Sequence, residues 1–155
     1  MKKILFVCLG NICRSPMAEF IFKKMVKDKG LDAKYHIASA ATSDEEAYDG
    51  GNPVYPPARR KLAENGISCD VKRAVQITKA DYERYDLIIG MEQSNITGIL
   101  RITGGDPENK VKLLMSYTDT PKDIADPWYS GNFDITYDEI YRGCKALLEH
   151  IESAN

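Results

Sequence analysis

"KILFVCLGNICRSP", residues 3–16, changes character twice. Residues 3–9 are a short apolar run rich in strand formers, which predicts a first β-strand. Gly10-Asn11 marks a turn. Ser15-Pro16 then opens a helix, since a proline in the first turn has no N–H to leave unpaired. That helix is predicted over 16–29, with Met17, Phe20, Ile21, Met25 and Val26 on roughly one face and Gly30 as its stop.

Strands and helices alternate outward from this point. "KYHIASA" (34–40) predicts a second strand, and 43–57, rich in Asp, Glu, Gly and Pro, a long loop. Ala58–Asn65 and Asp81–Arg84 read as helices, "DLIIGM" (86–91) as a strand and 92–102 as a helix. "VKLLMSY" (111–117) reads as a fourth strand, 118–132 as a polar loop and 133–152 as a long amphipathic helix carrying Tyr137, Ile140, Tyr141, Cys144, Leu147, Leu148 and Ile151. The continuous apolar runs at 86–91 and 111–117 suit strands buried on both faces, hence a parallel sheet covered by helices. The expectation is one α/β domain over residues 1–155: a three-layer α/β/α fold on a four-stranded parallel sheet. Right-handed crossovers then bring the loops after Cys8, Ala41, Met91 and Tyr117 to one edge, where ligands bind in such folds.

Composition excludes several classes of function. The 155 residues are 43% apolar and 28% charged with a formal charge of −2, which argues against nucleic acid as the main partner. No run approaches the ~18 apolar residues of a membrane span. Met1-Lys2-Lys3 before "ILFVCLG" has the flavour of a signal peptide, but the apolar run is short, lacks a small-residue cleavage site and ends in a turn. Cytoplasmic residence and a monomer are expected. Cys8, Cys13, Cys69 and Cys144 are irregularly spaced and read as reduced thiols. With no C-x-x-C pair and only His36 and His150 as histidines, neither a structural zinc site nor any other metal or cofactor is expected.

The bare spacing Cys8-x5-Arg14 is weak, but its place between a strand and a helix gives it meaning. Backbone N–H groups from Leu9 through Gly10, Asn11, Ile12 and Cys13 to Arg14 can curl into an anion nest, with the positive end of the helix behind them. Gly10 is expected to supply a backbone angle closed to other residues, and Arg14 a planar fork for two phosphate oxygens. A free cysteine is only about 3% thiolate at neutral pH, so a nest that favours anions raises the nucleophile's population by at most about thirtyfold. Stabilising the charged oxygens of a transferring phosphoryl group is the larger effect. The bland alternative is that Cys8 is a small buried hydrophobe. Cys13 reads either as core or as a redox partner for Cys8.

"VCLGNICRSPMAEFIF" resembles the low-molecular-weight protein tyrosine phosphatases. The resemblance continues through "SAATS", "DYERYDLIIGMEQSNITGILR", "DPWY" (126–129) and the closing helix. It implies a phosphate-binding loop between the first strand and first helix, with Cys8 as nucleophile, Arg14 as phosphate clamp and Asp126 as general acid. Asn11, Ser15 and Ser39 would hold the loop in shape, Ser15 also donating to the Cys8 sulfur. The substrate would be a tyrosine-phosphorylated protein or peptide, with inorganic phosphate as product and inhibitor.

The chemistry asks for an acid independently, because a phenol with pKa near 10 leaves more easily with a proton. Asp126, restricted by Pro127, lies on the loop after the fourth strand. Asp119 and Asp123 read as solvated loop charge. Ile12, Tyr48, Trp128 and Tyr129 are the candidate walls for an aromatic ring, with Tyr55 as an alternative to Tyr48. Several positions depart from the family: Glu45 where an aromatic is usual, Lys72 and Val75 within a stretch where relatives carry His-x-Ala-Arg, Glu92 for Asp, and Trp128 for Tyr. Three other functions share this loop. A protein-arginine phosphatase typically has threonine where Ile12 stands, and an arsenate reductase needs relay cysteines that Cys69 and Cys144 do not provide. A phosphate-binding module would not need Cys8, Arg14 and Asp126 together.

Overall fold

The computed structural model describes residues 1–69 and 71–154. Strand β1 (Lys2–Cys8) runs parallel to β2 (Tyr35–Ala41) over its whole length, from Lys2 opposite Tyr35 to Cys8 opposite Ala41. On its other side it pairs with β3 (Leu87–Gly90), which pairs with β4 (Val111–Leu113). The sheet is parallel throughout in the order β2-β1-β3-β4, so β1 is central and Cys8 ends at the middle of the carboxyl edge.

Alternation along β1 divides the core. Ile4, Phe6 and Cys8 pack with residues of α1 (Arg14–Asp28), α2 (Pro56–Glu64) and α6 (Phe133–Ser153). Leu5 and Val7 pack with Tyr82 of α3 (Asp81–Arg84) and Ile99 of α4 (Gln93–Thr103). The sheet is therefore covered on both faces, as its apolar strands require. Within α6 the buried residues recur at Thr136, Glu139, Ile140, Gly143, Cys144, Leu147, Leu148 and Ile151, a helical stripe facing the core. Among the described residues, no helix is long and apolar enough to cross a membrane.

The structure alters some expectations. The run 111–117 is strand only to Leu113; Leu114–Tyr117 coil into a 3-10 turn. The reason lies next door: β3 ends at Gly90, opposite Leu113, leaving no further ladder to pair with. Leu114 and Met115 bury themselves by turning toward α6 instead. The loop over 118–132 contains a short helix, α5 (Pro127–Ser130), with Pro127 at its first position. Helix α1 starts at Arg14, and α2 at Pro56. On α1, Phe22 is fully buried whereas Phe20 and Met25 are half-buried, and Tyr141 of α6 is exposed.

Gly143 is where α6 meets the 3-10 turn: a Cβ there would lie 2.6 Å from Leu114 Cγ. Gly143→Val is expected to lower stability by about 2 kcal/mol through overpacking. A lower urea midpoint with an unchanged slope would show it, and an unchanged midpoint would mean that Leu114 can move aside.

Candidate active site

The loop from β1 to α1 wraps around the Cys8 sulfur. Backbone N–H groups of Asn11 and Ser15 donate to Cys8 Sγ at 3.3 and 3.4 Å, and Ser15 Oγ lies 3.0 Å away. The left-handed backbone angle in this loop belongs to Asn11 (φ 59°), while Gly10 has no positive φ. Asparagine tolerates that region better than most residues. Gly10 is accounted for by space: a Cβ would come within 3.3 Å of Glu46 Cγ.

Asn11, 1% exposed, is also the brace. Its Nδ2 donates to Ser15 Oγ at 2.8 Å and to Ser39 Oγ at 2.9 Å, and its Oδ1 accepts from Val75 N at 3.1 Å. With Ser15 Oγ accepting from Asn11, its proton can point at the Cys8 sulfur. Ser39 in turn donates to Glu19 Oε1 at 2.6 Å. Lys72 Nζ donates to Ser39 O at 3.0 Å and lies 3.8 Å from Glu19. Lys72 thus ties the Ser39 backbone to the buried Glu19 carboxylate, and Val75 contributes through its backbone N–H. Burial pulls the Lys72 amine below its ordinary value, against the opposing charge of Glu19.

Arg14, at the start of α1, is 2% exposed. Its Nη1 donates to Ile124 O at 2.8 Å and lies 3.0 Å from Glu92 Oε2; Nη2 lies 3.5 Å from both Glu92 Oε1 and Asp126 Oδ2. Burial opposes the Arg14 charge, but Cys8, Glu92 and Asp126 outweigh it and hold its pKa above the ordinary value. Burial likewise opposes the Glu92 charge, yet Arg14 keeps that carboxyl below its ordinary value. Glu92 is presented by the N-terminus of α4, where Asn95 Oδ1 accepts from Met91 N and Glu92 N at 3.1 and 3.0 Å. In the sequence Glu92 stands out only as a departure from the family. Its place directly after β3, at the ligand-bearing edge, was the available signal.

Asp126 caps α5, with Oδ1 accepting from Trp128 N at 3.0 Å. Asp123 is more than solvated charge, since its Oδ1 accepts from Gln93 N, the first N–H of α4, at 2.9 Å. Asp119 is exposed and outside the cleft. The cleft is lined by Cys8, Leu9, Gly10, Ile12, Cys13 and Arg14 of the loop from β1 to α1. Trp128 and Tyr129 line one side, with Asp126; Ser43, Glu45 and Glu46 also line it. Tyr48 does not line it and is 73% exposed, because the turn through Asp49, Gly50 and Gly51, all at positive φ, points it outward. Tyr55 backs Trp128, with ring centroids 4.8 Å apart. Cys13 is half-buried; burial first, then the neighbouring Cys8 and Asp126, pushes its thiol up. Cys69 and Cys144 are buried in the core outside the cleft, Cys144 on the inner face of α6.

The profile of the low molecular weight phosphotyrosine protein phosphatases matches residues 3–155. The chain belongs to this family. It is 38% identical to the low molecular weight protein-tyrosine-phosphatase YfkJ of Bacillus subtilis, covering 98% of this chain and 97% of that one. The crystal structure of YfkJ superposes with a TM-score of 0.93, covering 100% and 97% of the two chains at 37% identity. The low molecular weight phosphotyrosine protein phosphatase of Gallus gallus is 40% identical, covering 96% of this chain and 95% of its own. A Drosophila arginine phosphatase superposes at 0.88 with 28% identity, covering both chains fully. This phosphatase fold therefore accommodates more than one leaving-group chemistry, and the site has to supply the choice.

Asn11→Gly keeps the left-handed backbone and removes three hydrogen bonds, which should cost about 2–3 kcal/mol. Asn11→Ala should be no more stable than Asn11→Gly, because φ near 59° cancels alanine's usual advantage. Urea unfolding of the pair checks this; a clearly more stable alanine variant would mean that the loop backbone relaxes.

Proposed function

We propose that residues 1–155 act as one phosphatase domain that hydrolyses phosphotyrosine monoesters of proteins through a phosphocysteine on Cys8. The observation that carries this is the convergence of Cys8, Arg14 and Asp126 on one cleft, with Arg14 Nη2 3.5 Å from Asp126. The phosphoryl group sits in the loop Leu9–Ser15, its oxygens facing backbone N–H groups and the Arg14 guanidinium. Cys8 Sγ attacks phosphorus in line while Asp126 protonates the departing phenol oxygen. Asp126 then takes a proton from a water that attacks the phosphocysteine, and inorganic phosphate leaves. Ser15 Oγ and two N–H groups around the sulfur stabilise it as the leaving group of this second step.

Ile12 favours the aryl ester over phosphoarginine. It lines the cleft with Trp128 and Tyr129, cannot donate a hydrogen bond, and offers an apolar surface to a phenyl ring. The reaction is placed in the cytoplasm, where thiols stay reduced. Metal-free hydrolysis of aryl phosphates tests the assignment. Cys8→Ser should abolish turnover, and Asp126→Ala should slow phenyl phosphate by roughly 10²–10⁴-fold. Ile12→Thr should raise the rate on phosphoarginine relative to phosphotyrosine. No turnover by the reduced wild type, or a wild-type preference for phosphoarginine, would overturn this reading.

Cys13 beside Cys8 supports a protective redox pair. Peroxide converts Cys8 to a sulfenic acid, and Cys13 attacks it, forming the disulfide and releasing water. Burial disfavours the Cys13 thiolate, so closure should be slow and accelerate with rising pH. Recovery of activity by a thiol after peroxide should be lost in Cys13→Ser; undiminished recovery would exclude the pair.

A further inference from the structure

The loop that carries Asp126 cannot be held by burial. Between Thr118 and Asp126 only Ile124 is buried. Its placement comes instead from polar ties made by successive residues. Lys122 pairs with Glu139 of α6. Asp123 accepts from Gln93 N at the start of α4 at 2.9 Å. Ile124 N donates to Met91 O at 3.0 Å, and Ile124 O accepts from Arg14 at 2.8 Å. Ala125 O accepts from Thr136 Oγ1 of α6 at 3.4 Å.

Two of these ties come from one face of α6. Thr136 and Glu139 are three residues apart, one above the other. Among the described residues of α6 they are the buried polar side chains, at 2% and 4% exposure on an otherwise apolar stripe. A carboxylate buried among apolar residues is costly unless paired. Glu139 has its charge answered by Lys122, whose own side chain is about half exposed at 51%. The helix therefore grips the loop at Lys122 and Ala125, either side of the Ile124 carbonyl that receives Arg14.

We propose that Glu139, through Lys122, is a positioning residue for the reaction: it fixes the loop so that Asp126 meets the leaving-group oxygen. This rests on Asp126 being the general acid. Neither Glu139 nor Lys122 lines the cleft. Ile124 keeps its own bonds to Met91 and Arg14 when the tie is lost, so Asp126 is displaced more than the phosphate cradle and the defect grows as the leaving group becomes a stronger base.

The test compares kcat/KM on phenyl phosphate and p-nitrophenyl phosphate, which reads the phosphorylation of Cys8 alone. Lys122→Met and Glu139→Gln should each lower phenyl phosphate turnover about tenfold, part of the 10²–10⁴ that a general acid supplies, and change p-nitrophenyl phosphate less than about twofold. The double variant should fall no further than either single one, because both break the same tie. Glu139→Gln removes the buried charge together with the tie, so it gives a variant that folds even where Lys122→Met, which leaves that carboxylate unpaired, does not. Equal losses on both substrates, or none on either, overturn the proposal. Asp126→Ala run alongside separates the two levels. If it shows leaving-group dependence and the pair variants do not, positioning alone fails; if it shows none, the acid assignment fails and the positioning with it.

Discussion

A guanidinium buried to 2% exposure has to be neutralised where it lies, and two separate segments of chain meet Arg14 to do so. The α4 N-terminus brings Glu92, the loop after β4 brings the Ile124 carbonyl and Asp126, and Arg14 itself stands at the first turn of α1. None of these segments is adjacent in sequence. The ion pairs keep the arginine charged in a place that burial alone would penalise. One residue thus serves both as the candidate phosphate clamp and as the tie joining the loop of Asp126 to the loop of Cys8.

The second constraint is conformational. The turn around Cys8 needs a residue in the left-handed region whose side chain also fills a buried polar site, and only asparagine does both at position 11. Glycine would give the angle without the bonds to Ser15, Ser39 and Val75. From Asn11 the network runs through Ser39 to the buried carboxylate of Glu19, which Lys23 meets at 2.5 Å and Lys72 at 3.8 Å. The loop is shaped locally by φ and held globally by charge.

The departures from relatives read differently once placed. Lys72 reaches the loop by a longer side chain than histidine and bonds the Ser39 carbonyl. Glu92, one methylene longer than aspartate, still meets Arg14, its backbone fixed by Asn95. Glu45 lines the cleft in place of an aromatic, and the aromatic surface is supplied by Trp128, backed by Tyr55, and Tyr129. In this chain Lys72 and Glu92 therefore brace the loop and its arginine, while Glu45, Trp128 and Tyr129 set the character of the cleft rim.

The sequence by itself determined the alternation of strands and helices, the parallel sheet and the loop after β1. These depend on periodicity and on Gly and Pro, which act over a few residues. Cys8, Arg14 and Asp126 stand out as candidates through "CLGNICRSP" and "DPWY", on loops that follow β1 and β4, and all three line one cleft. Tertiary structure alone decided that Asn11 rather than Gly10 takes the left-handed angle, and that Tyr48 points away while Tyr55 backs the wall. It also turned the expected loop charges into anchors: Asp123 caps α4, and Lys122 pairs with Glu139. The physical reason is common to all of these. A hydrogen bond or ion pair between residues tens of positions apart leaves no periodic trace, and a polar side chain reveals its partner only when the chain has brought the two together.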